Sequence, residues 1–410
     1  MKKFYELYNK TSLVARIIVG IILGAIFAHI FAGAKFIGIL GDLFVGALKA
    51  IAPILVLVLV ISSITQSKDK PDGRFRTVIF LYLFSTFCSA AVAVAASYLF
   101  PQTLILQAQD LASYSLPSSF GDVIHKLLIN IVVNPISSLT EGNYLGILFW
   151  AIILGIALKN TASDSTKTML ADFSECVSTV VKFIINFAPF GIMGLVYNAV
   201  SDGGLDIFTV YGKMILLLAG CMLFVCFVSN PLIMFLMTGK NPYPISIRCL
   251  KESGITAFFT RSSAANIPMN MTLCEKLGLD RDLFSISIPL GATINMNGAA
   301  VTISIMALAA VSTLGIQINI FSALILSILA TFAACGASGV AGGSLLLIPL
   351  ACSLFGIPND IAMEVVGVGF IIGVVQDSFE TALNSSSDVI FTYVADYLSR
   401  KRRVEERFNR

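Results

Sequence analysis

Long apolar runs dominate the pattern of hydrophobic and polar positions along the chain. Six of them are continuous and occupy about residues 13–32, 37–65, 77–100, 144–158, 175–200 and 208–237. An α-helix needs about 20 predominantly apolar residues to cross a bilayer, and all but the fourth run reach that length. The pattern therefore predicts a bundle of membrane-spanning helices.

Four further apolar segments follow, and polar or small residues interrupt each of them. The interruptions are TRSSAANIP in 245–273, NMNG in 283–312, ACGASGVAGGS in 320–355, and a row of polar residues in the last segment. Non-helical backbone is tolerated at membrane depth only where protein or a water-filled cavity satisfies its polar groups. We therefore expect four broken helices that line a site or a pathway.

The polar residues of the last segment share one helix face. At 100° per residue, five side chains fall within a stripe about 100° wide. They belong to Asp377, Glu380, Thr381, Asn384 and Asp388. Apolar residues flank the stripe on both sides, which argues against a solvated helix outside the membrane. Because ionisable groups are costly in a bilayer, the stripe predicts a lined pathway or a binding site.

Composition agrees with a membrane protein. The chain has 57% hydrophobic and only 12% charged residues, with a mean hydropathy of +0.88, so we expect an all-α polytopic protein embedded in a lipid bilayer. It has no basic tract with interleaved aromatic residues, so nucleic acid is not an expected partner. The eight cysteines form no CxxC pair, and the two histidines are far apart, so no zinc site is predicted.

Basic loop residues predict the topology, because Lys and Arg collect on the cytoplasmic side. Residues 67–76 and the tail after 399 are strongly basic, which places both termini in the cytoplasm. Lys276 and Arg281 follow segment 252–273, so that segment enters and leaves on one side as a re-entrant hairpin. The glycine-rich segment, which has no basic flank, would be a hairpin from the other side. A small-residue helix-packing face remains the alternative for it.

Hairpin plus broken helix thus occurs twice with opposite orientation, an inverted repeat typical of secondary transporters. Three of the interrupted motifs, GATINMNGAAV (291–301), TRSSAANIP (260–268) and DSFETALNSSSD (377–388), resemble those of the dicarboxylate/amino acid:cation symporter family. Tyr82, Ser85 and Thr86 also match, and the resemblance spans essentially the whole chain. It implies a homotrimer in the bacterial inner membrane, with eight transmembrane helices, two hairpins and an elevator mechanism. It implies no enzymatic activity and no cofactor beyond the coupling sodium ion.

The same resemblance implies a scaffold and a moving transport domain. The scaffold would comprise about 11–66 and 118–200, and the transport domain about 76–100 and 206–397. The first hairpin would occupy 245–279 and the second 320–357.

Glu380 is the main departure from the family pattern. Members that carry acidic substrates have an arginine there, and a substrate carboxylate 4 Å from Glu380 would cost about 4 kcal/mol at an effective dielectric of about 20. A small neutral amino acid whose hydroxyl donates to Glu380 fits better. With Arg261, the position resembles the bacterial serine/threonine:sodium symporters. Transport of another amino acid or a dicarboxylate is the alternative.

The resemblance assigns roles to the substrate-site residues. Asp377 would bind the substrate ammonium, and Arg261 would contact substrate or neutralise Asp377 or Glu380, the second being favoured. The remaining substrate-site residues are Thr381, Asn384, Ser262, Ser263, Val340, Gly343 and Ser344, of which Asn384 and the two hairpin tips would hold the carboxylate.

The resemblance implies some, but not all, of the family's sodium sites in this chain. One is expected between the Asp388 carboxylate and the carbonyls of Gly291, Asn295 and Asn384, all oxygen ligands. A second would lie between Thr293 and the segment from Ala334 to Ala337. A third would involve Tyr82, Thr86 and Asn295, but Asn297 replaces the aspartate of the family there. Ala299 likewise replaces a substrate-contacting threonine, so fewer coupled ions and a different substrate are expected.

Two other classes of function are alternatives to a transporter. Asp377 and Asp388 could suggest an intramembrane aspartyl protease, but eleven residues place them about 16 Å apart along a helix, too far to share a proton. A channel is the second alternative, although nothing resembles a selectivity-filter repeat.

Overall fold

The computed structural model describes residues 11–31, 33–66, 73–106, 129, 132–204, 207–337 and 342–408. These residues are mostly helical and contain no β-strand. The first half forms α1 (Leu13–Ile30), α2 (Lys35–Gln66), α3 (Gly73–Leu99), α4 (Pro135–Glu141), α5 (Tyr144–Thr161), α6 (Asp164–Asn186) and α7 (Ala188–Gly203). Of the predicted scaffold, 32, 118–128, 130 and 131 lie outside the described residues.

The second half contains the interrupted helices. It forms α8 (Ile207–Phe224), α9 (Asn230–Thr238), α10 (Tyr243–Cys249), α11 (Ile255–Thr260), α12 (Ser263–Lys276), α13 (Arg281–Ile294), α14 (Asn297–Thr313), α15 (Ile320–Ala334), α16 (Ile348–Ser353) and α17 (Asn359–Phe408). Short π-helical turns join α8 to α9 and α10 to α11, and a 3₁₀ turn, Ser344–Leu347, precedes α16.

Five of these helical units are long and apolar enough to cross a membrane. They are Phe36–Gln66, Gly73–Leu99, Ile207–Thr238, Arg281–Thr313 and Asn359–Lys401. The pair α6 and α7, bent by 54°, adds a sixth if it forms one span. Helices α1, α5 and α15 are apolar but shorter. The chain is therefore a multi-pass membrane protein, and the count of eight spans stays a prediction.

The helices pack in two groups. Helices α1, α2 and α5 to α7 contact one another, whereas α3 and the helices from α8 onward gather around α14 and α17. Residues 297–311 of α14 are all buried, so this helix forms the centre of the second group. Helix α17 also contacts α2 and α7, which brings the polar stripe close to the first group.

Two glycines allow α1 and α7 to cross closely. A Cβ atom on Gly20 would lie 2.3 Å from the carbonyl oxygen of Pro189, and one on Gly24 would lie 2.4 Å from that of Met193. Small residues four apart let helix backbones approach in a membrane, where packing replaces the hydrophobic effect. The spacing of these glycines therefore fixes the α1–α7 contact.

The first two interruptions break the helix where the sequence predicted it. The run through TRSSAANIP breaks after Thr260, and α12 returns antiparallel to the preceding arm, with Asn266 and Asn270 reaching back to Ser253. The run through NMNG breaks between α13 and α14. Both segments lack the continuous backbone hydrogen bonds of a helix and so can present polar groups to a site.

The third interruption also divides its segment into two arms. Helix α15 ends at Ala334, the 3₁₀ turn starts at Ser344, and the two arms contact each other. Residues 338–341, and hence Val340, lie outside the described residues.

The predicted break in the last segment is wrong. Helix α17 runs without interruption for 50 residues from Asn359 to Phe408 and carries the whole polar stripe. A helix satisfies its own backbone groups, so only the side chains need partners, and the broken helix and the hairpins supply them. Of the two repeats that the sequence predicts, the first therefore contains a broken helix and the second a continuous one.

A π-helical turn, Val225–Ser229, interrupts a span that the sequence predicted to be uniform. Pro231 has no N–H group, so the carbonyl of Phe227 lacks its normal helical donor. The hydroxyl of Tyr243 donates to that carbonyl over 3.3 Å. The first residue of α10 therefore compensates for the proline.

Candidate functional site

The polar stripe of α17 is enclosed by protein. Its five predicted side chains are each no more than 5% exposed. The α13–α14 break and the two hairpins surround it, so elements far apart in sequence meet along one helix face.

Asp377 faces the tip of the first hairpin. An Nη of Arg261 lies 3.7 Å from Asp377 Oδ2, an ion pair too long for a hydrogen bond. Both side chains are buried, and Asp377 Oδ2 has no hydrogen-bond partner. Arg261 is the only non-glycine residue with positive φ, at 50°, in the described part of the chain. The tip thus holds a sparsely populated backbone conformation beside a buried carboxylate.

A small cavity adjoins this ion pair. Its volume is about 20 Å³, and its walls include Arg261, Gly342, Phe370 and Asp377. Helices α1, α6 and α7 also contribute wall residues, so the cavity lies where the two helix groups meet. A space of this size has room for about one water molecule.

Glu380 is held by three donors from three elements. Its Oε2 accepts hydrogen bonds of 2.8 Å from Thr302 Oγ1 on α14 and from Ser344 Oγ at the second hairpin. Gln376 Nε2, one turn earlier on α17, is the third donor. Three donors on one oxygen suit an ionised carboxylate, which only accepts hydrogen bonds. Ser344 therefore bonds to Glu380 in this arrangement.

Gln376 adds an unused acceptor beside Glu380. Its Nε2 also donates to Thr302 Oγ1 over 2.6 Å, whereas its Oε1 is buried without a hydrogen-bond partner. A buried acceptor without a donor costs free energy. The amide oxygen of Gln376 is therefore available to accept a hydrogen bond from a ligand.

Asn384 anchors the start of α14. Its Oδ1 accepts from the N–H of Gly298 over 2.7 Å, and its Nδ2 contacts only the sulfur of Met296, at 3.3 Å. A Cβ atom on Gly298 would lie 2.7 Å from the Cα of Glu380, so only glycine allows this approach. Because a thioether is a weak acceptor, the Asn384 amide can exchange it for a carboxylate oxygen.

Asp388 forms a second polar centre, about 16 Å from Asp377 along the axis of α17. Its Oδ1 accepts a 2.8 Å hydrogen bond from Asn295 Nδ2, and its Oδ2 is buried without a partner. A Cβ atom on Gly291 would lie 2.6 Å from Asp388 Oδ1, so the broken helix approaches the carboxylate closely. Asn295 Nδ2 also lies 3.4 Å from the carbonyl oxygen of Asn384. These oxygens are the ligand type that a hard cation prefers.

Asn297 lies in a closed network of neutral groups. Its Oδ1 is 3.0 Å from both Ser85 Oγ and Thr86 Oγ1, and its Nδ2 donates to Ser387 Oγ over 3.2 Å. Thr86 Oγ1 also donates to the carbonyl of Tyr82 over 2.8 Å. The amide therefore has hydrogen-bond partners on both its oxygen and its nitrogen without a cation.

The second hairpin meets the end of α13 next to the residues of the second predicted cation site. Cys335 Sγ, between Ala334 and Ala337, lies 3.6 Å from the carbonyl oxygen of Ile294. Thr293 is exposed and bonds to the carbonyl of Leu290. The second hairpin and the end of α13 are thus adjacent through a thiol and a backbone carbonyl.

The first hairpin is attached to α17 by side-chain amides. Asn266 Nδ2 donates to Ser385 Oγ over 2.7 Å, and Asn270 Nδ2 donates to the carbonyl of Ser385 over 3.1 Å. Ser253 Oγ, on the other arm, donates to Asn270 Oδ1 over 2.5 Å. All four residues are buried, so both arms are fixed to the face next to the stripe.

The hairpin tips provide backbone groups as well as side chains. Ser262 caps α12 by accepting from the N–H of Ala265 over 3.2 Å, and Ser263 is buried at the first turn. Gly343 is buried ahead of Ser344. Thr381 bonds to the carbonyl of Asp377 over 2.8 Å. The described residues predicted to contact substrate therefore lie along the stripe or at the two tips.

Sequence reasoning missed three residues in the networks around Glu380 and Asn297. Gln376 is one turn from Glu380 and shares its face, a spacing that could have identified it. Thr302 and Ser387 carry no such signal, because serine and threonine are common in transmembrane helices and only the fold brings these two to the stripe.

Comparisons with known proteins agree with the geometry. The model of the sodium:dicarboxylate symporter family matches residues 13–398. A Bifidobacterium adolescentis protein called serine/threonine transporter SstT is 59% identical over 392 residues, covering 96% of this chain and 91% of that protein. Proteins of the same name from Streptococcus thermophilus and Streptococcus agalactiae are 54% and 56% identical over 396 residues, each covering 97% of this chain and 98% of the relative.

Proposed function

Because the chain belongs to the sodium:dicarboxylate symporter family, we propose that it imports serine and threonine by symport with sodium. The names of its relatives support this substrate class. The buried stripe would contain two binding sites, an amino-acid site around Asp377 and Glu380 and a sodium site around Asp388.

Two buried carboxylate oxygens without hydrogen-bond partners carry the proposal. Asp377 Oδ2 and Asp388 Oδ2 are each turned toward protein rather than solvent and accept no hydrogen bond. Buried carboxylates are costly unless a cation or donors compensate them. The substrate ammonium at Asp377 and a sodium ion at Asp388 would supply that compensation, so the two ligands would stabilise one helix face together.

The charge around Asp377 favours a neutral amino acid. Asp377 and Glu380 face one nearby cation, Arg261, which leaves one formal negative charge before substrate binds. A zwitterion brings one ammonium to this environment, whereas aspartate or glutamate adds a carboxylate near Glu380. That repulsion is about 4 kcal/mol at 4 Å and an effective dielectric of about 20.

Recognition of the hydroxyl group uses Gln376 and Glu380. Three protein donors already occupy Glu380 Oε2, and the Gln376 amide oxygen beside it has none. We assign the hydroxyl of serine or threonine to this pair. Alanine would leave the buried acceptor without a donor and bind less well.

The substrate carboxylate would bind between Asn384 and the first hairpin. Asn384 Nδ2 has only a thioether partner, and α12 directs its N-terminal N–H groups toward the tip beside Arg261. A helix N-terminus favours an anion. Arg261 itself stays with Asp377 as its charge partner in this proposal.

The number of sodium ions would be smaller than in relatives with an aspartate at the position of Asn297. The Asp388 site has an anionic ligand and carbonyl oxygens, and the site near Thr293, Ala334 and Ala337 relies on the backbone. At Asn297, hydroxyl groups already satisfy the amide oxygen. We therefore assign the first two sites to sodium and leave the third without an ion.

The two packed helix groups suggest how access alternates. Helices α1, α2 and α5 to α7 would form the trimeric scaffold, and α3 with the helices from α8 onward would form the transport domain. The stripe lies close to their junction, so an elevator movement of one group past the other would carry it across the membrane. Eight spans, two re-entrant hairpins and cytoplasmic termini in a bacterial inner membrane complete this proposal.

Uptake into proteoliposomes tests the function. An inward sodium gradient is expected to drive concentration of labelled serine, excess unlabelled threonine to compete, and aspartate to fail. Serine flux that is independent of sodium would contradict symport.

The mutation Glu380→Arg tests the selectivity. It is expected to weaken competition by threonine and to introduce competition by aspartate. Asp396→Asn, on the same helix and buried in an ion pair with Arg400, is the control and should keep the wild-type order of competitors.

A further inference from the structure

An open groove of about 680 Å³ lies between α3 and α8 and shares no wall residue with the polar stripe. One wall includes Ala95 and Ala96 of α3, and the other runs along α8 from Lys213 to Phe224. Eleven residues of helix span about 16 Å. The volume lies within the range of about 300 to 1,000 Å³ that small-molecule sites occupy, so the groove can hold an extended ligand.

The groove belongs to the membrane-embedded part of the protein. Both of its walls come from helices that are long and apolar enough to cross a bilayer. Leu99 and Leu216 on its rim are 74% and 73% exposed. Apolar side chains with this exposure contact lipid tails in a membrane protein, so the groove opens toward the bilayer.

One end of the groove carries a cation. Lys213, in the second turn of α8, is exposed and is the only charged side chain among the residues lining the groove. A lysine on a transmembrane helix keeps its ammonium at the membrane surface while its stem covers apolar neighbours. The groove thus combines a cationic end with an apolar wall, which is the complement of an anionic amphiphile.

We propose that the α3–α8 groove binds an anionic phospholipid. An acyl chain would lie against Ala95, Ala96 and Gly220, and the headgroup phosphate would contact the Lys213 ammonium. The charge distribution favours this occupant over a helix of a second copy, because an apolar helix packed here would cover Lys213 without offering it a partner. A lipid leaves that ammonium at the interface and pairs it.

Gly220 offers a way to fill the groove without disturbing the protein. A Cβ atom built on Gly220 meets no atom within 4 Å, and the same holds for Gly212 on the same helix, which does not line the groove. Leucine favours a helix more than glycine does at both positions. Gly220→Leu is therefore a blocking variant, and Gly212→Leu is its matched control.

The test uses the full-length protein, purified and stripped of lipid, and titrated with dioleoyl phosphatidylglycerol or dioleoyl phosphatidylcholine in mixed micelles. Binding is followed by native mass spectrometry and by the shift in Tm. The wild type and Gly212→Leu are expected to bind phosphatidylglycerol more tightly than phosphatidylcholine. Lys213→Ala should weaken phosphatidylglycerol binding about fivefold and remove the preference, and Gly220→Leu should weaken both lipids.

Three results would each overturn the proposal. The first is equal binding of the two lipids by the wild type, and the second is an undiminished preference in Lys213→Ala. The third is a Gly220→Leu variant that changes the oligomeric mass but not lipid binding, since this would assign the groove to a second copy of the chain. The Tm of each lipid-free variant establishes that it is folded.

Discussion

Asn295 donates from Nδ2 to Asp388 Oδ1 over 2.8 Å, while the second oxygen of Asp388 has no hydrogen-bond partner. The bond fixes the carboxylate against the broken helix and leaves one oxygen for a cation. It also joins the α13–α14 break to α17, so the elements that would bind sodium and substrate belong to one packed unit.

Replacing Asp388 with asparagine should remove the charge that compensates a sodium ion. We expect the sodium concentration for half-maximal serine uptake to rise on the order of 10- to 100-fold, as for loss of a charged hydrogen-bonding group. Uptake measured against a series of sodium gradients checks this. Asp396→Asn makes the same chemical change two turns away and should leave sodium dependence unaltered. A wild-type sodium response in Asp388→Asn would rule out the proposed site.

Asn297→Asp should create an additional sodium site. The new carboxylate would keep the hydroxyl donors Ser85 and Thr86 but would need a cation to compensate its charge inside the membrane. We expect an increase in the number of sodium ions transported per serine, measured from reversal potentials in proteoliposomes. Asn297→Ala carries no charge and should not increase that number. An active Asn297→Asp variant with unchanged stoichiometry would contradict the role assigned to this position.

Gln376→Ala should weaken serine binding. The substitution removes one of the three donors to Glu380 and the free acceptor beside it, at a cost of about 1–3 kcal/mol for the unsatisfied carboxylate. The KM for serine is expected to rise about tenfold, with a smaller change for alanine. Ser378→Ala, which loses only a bond to the carbonyl of Val374 on its own helix, is the comparison variant. If the KM values for serine and alanine rise equally, Gln376 does not recognise the substrate hydroxyl.

Asn270→Ala should loosen the first hairpin from α17. It removes the acceptor of Ser253 Oγ and the amide that donates to the carbonyl of Ser385 in a buried network, and we expect a loss of about 1–3 kcal/mol of stability. Thermal unfolding in detergent should show a lower Tm. Thr272→Ala on the same helix loses only a bond to the carbonyl of Pro268 and should melt near the wild type. The double variant with Ser385→Ala should be less destabilised than the sum of the singles.

Family and substrate class could be inferred from local sequence. The resemblance of the three interrupted motifs is confirmed by the family match over residues 13–398, and the inference from Glu380 and Arg261 agrees with the names of the relatives. The breaks at Arg261 and between α13 and α14 were predicted correctly from the polar runs in their apolar segments.

The pattern of polar positions led to the wrong prediction of a break in the last helix. A polar stripe and a broken helix produce similar interruptions in hydropathy, and the sequence contains no signal for which side chains will find partners. In the fold, Asn295, Thr302 and Ser344 supply them, so α17 remains continuous.

By itself, the sequence determined that this chain enters a membrane, where three of its apolar segments break and which charges it buries, since these follow from hydropathy and from the cost of each ionisable group in lipid. Only the tertiary structure decided which partners those buried groups have. The pairing of Arg261 with Asp377, the three donors on Glu380 and the neutral network around Asn297 join residues up to 212 positions apart. Such contacts depend on distance in space, which no local pattern encodes.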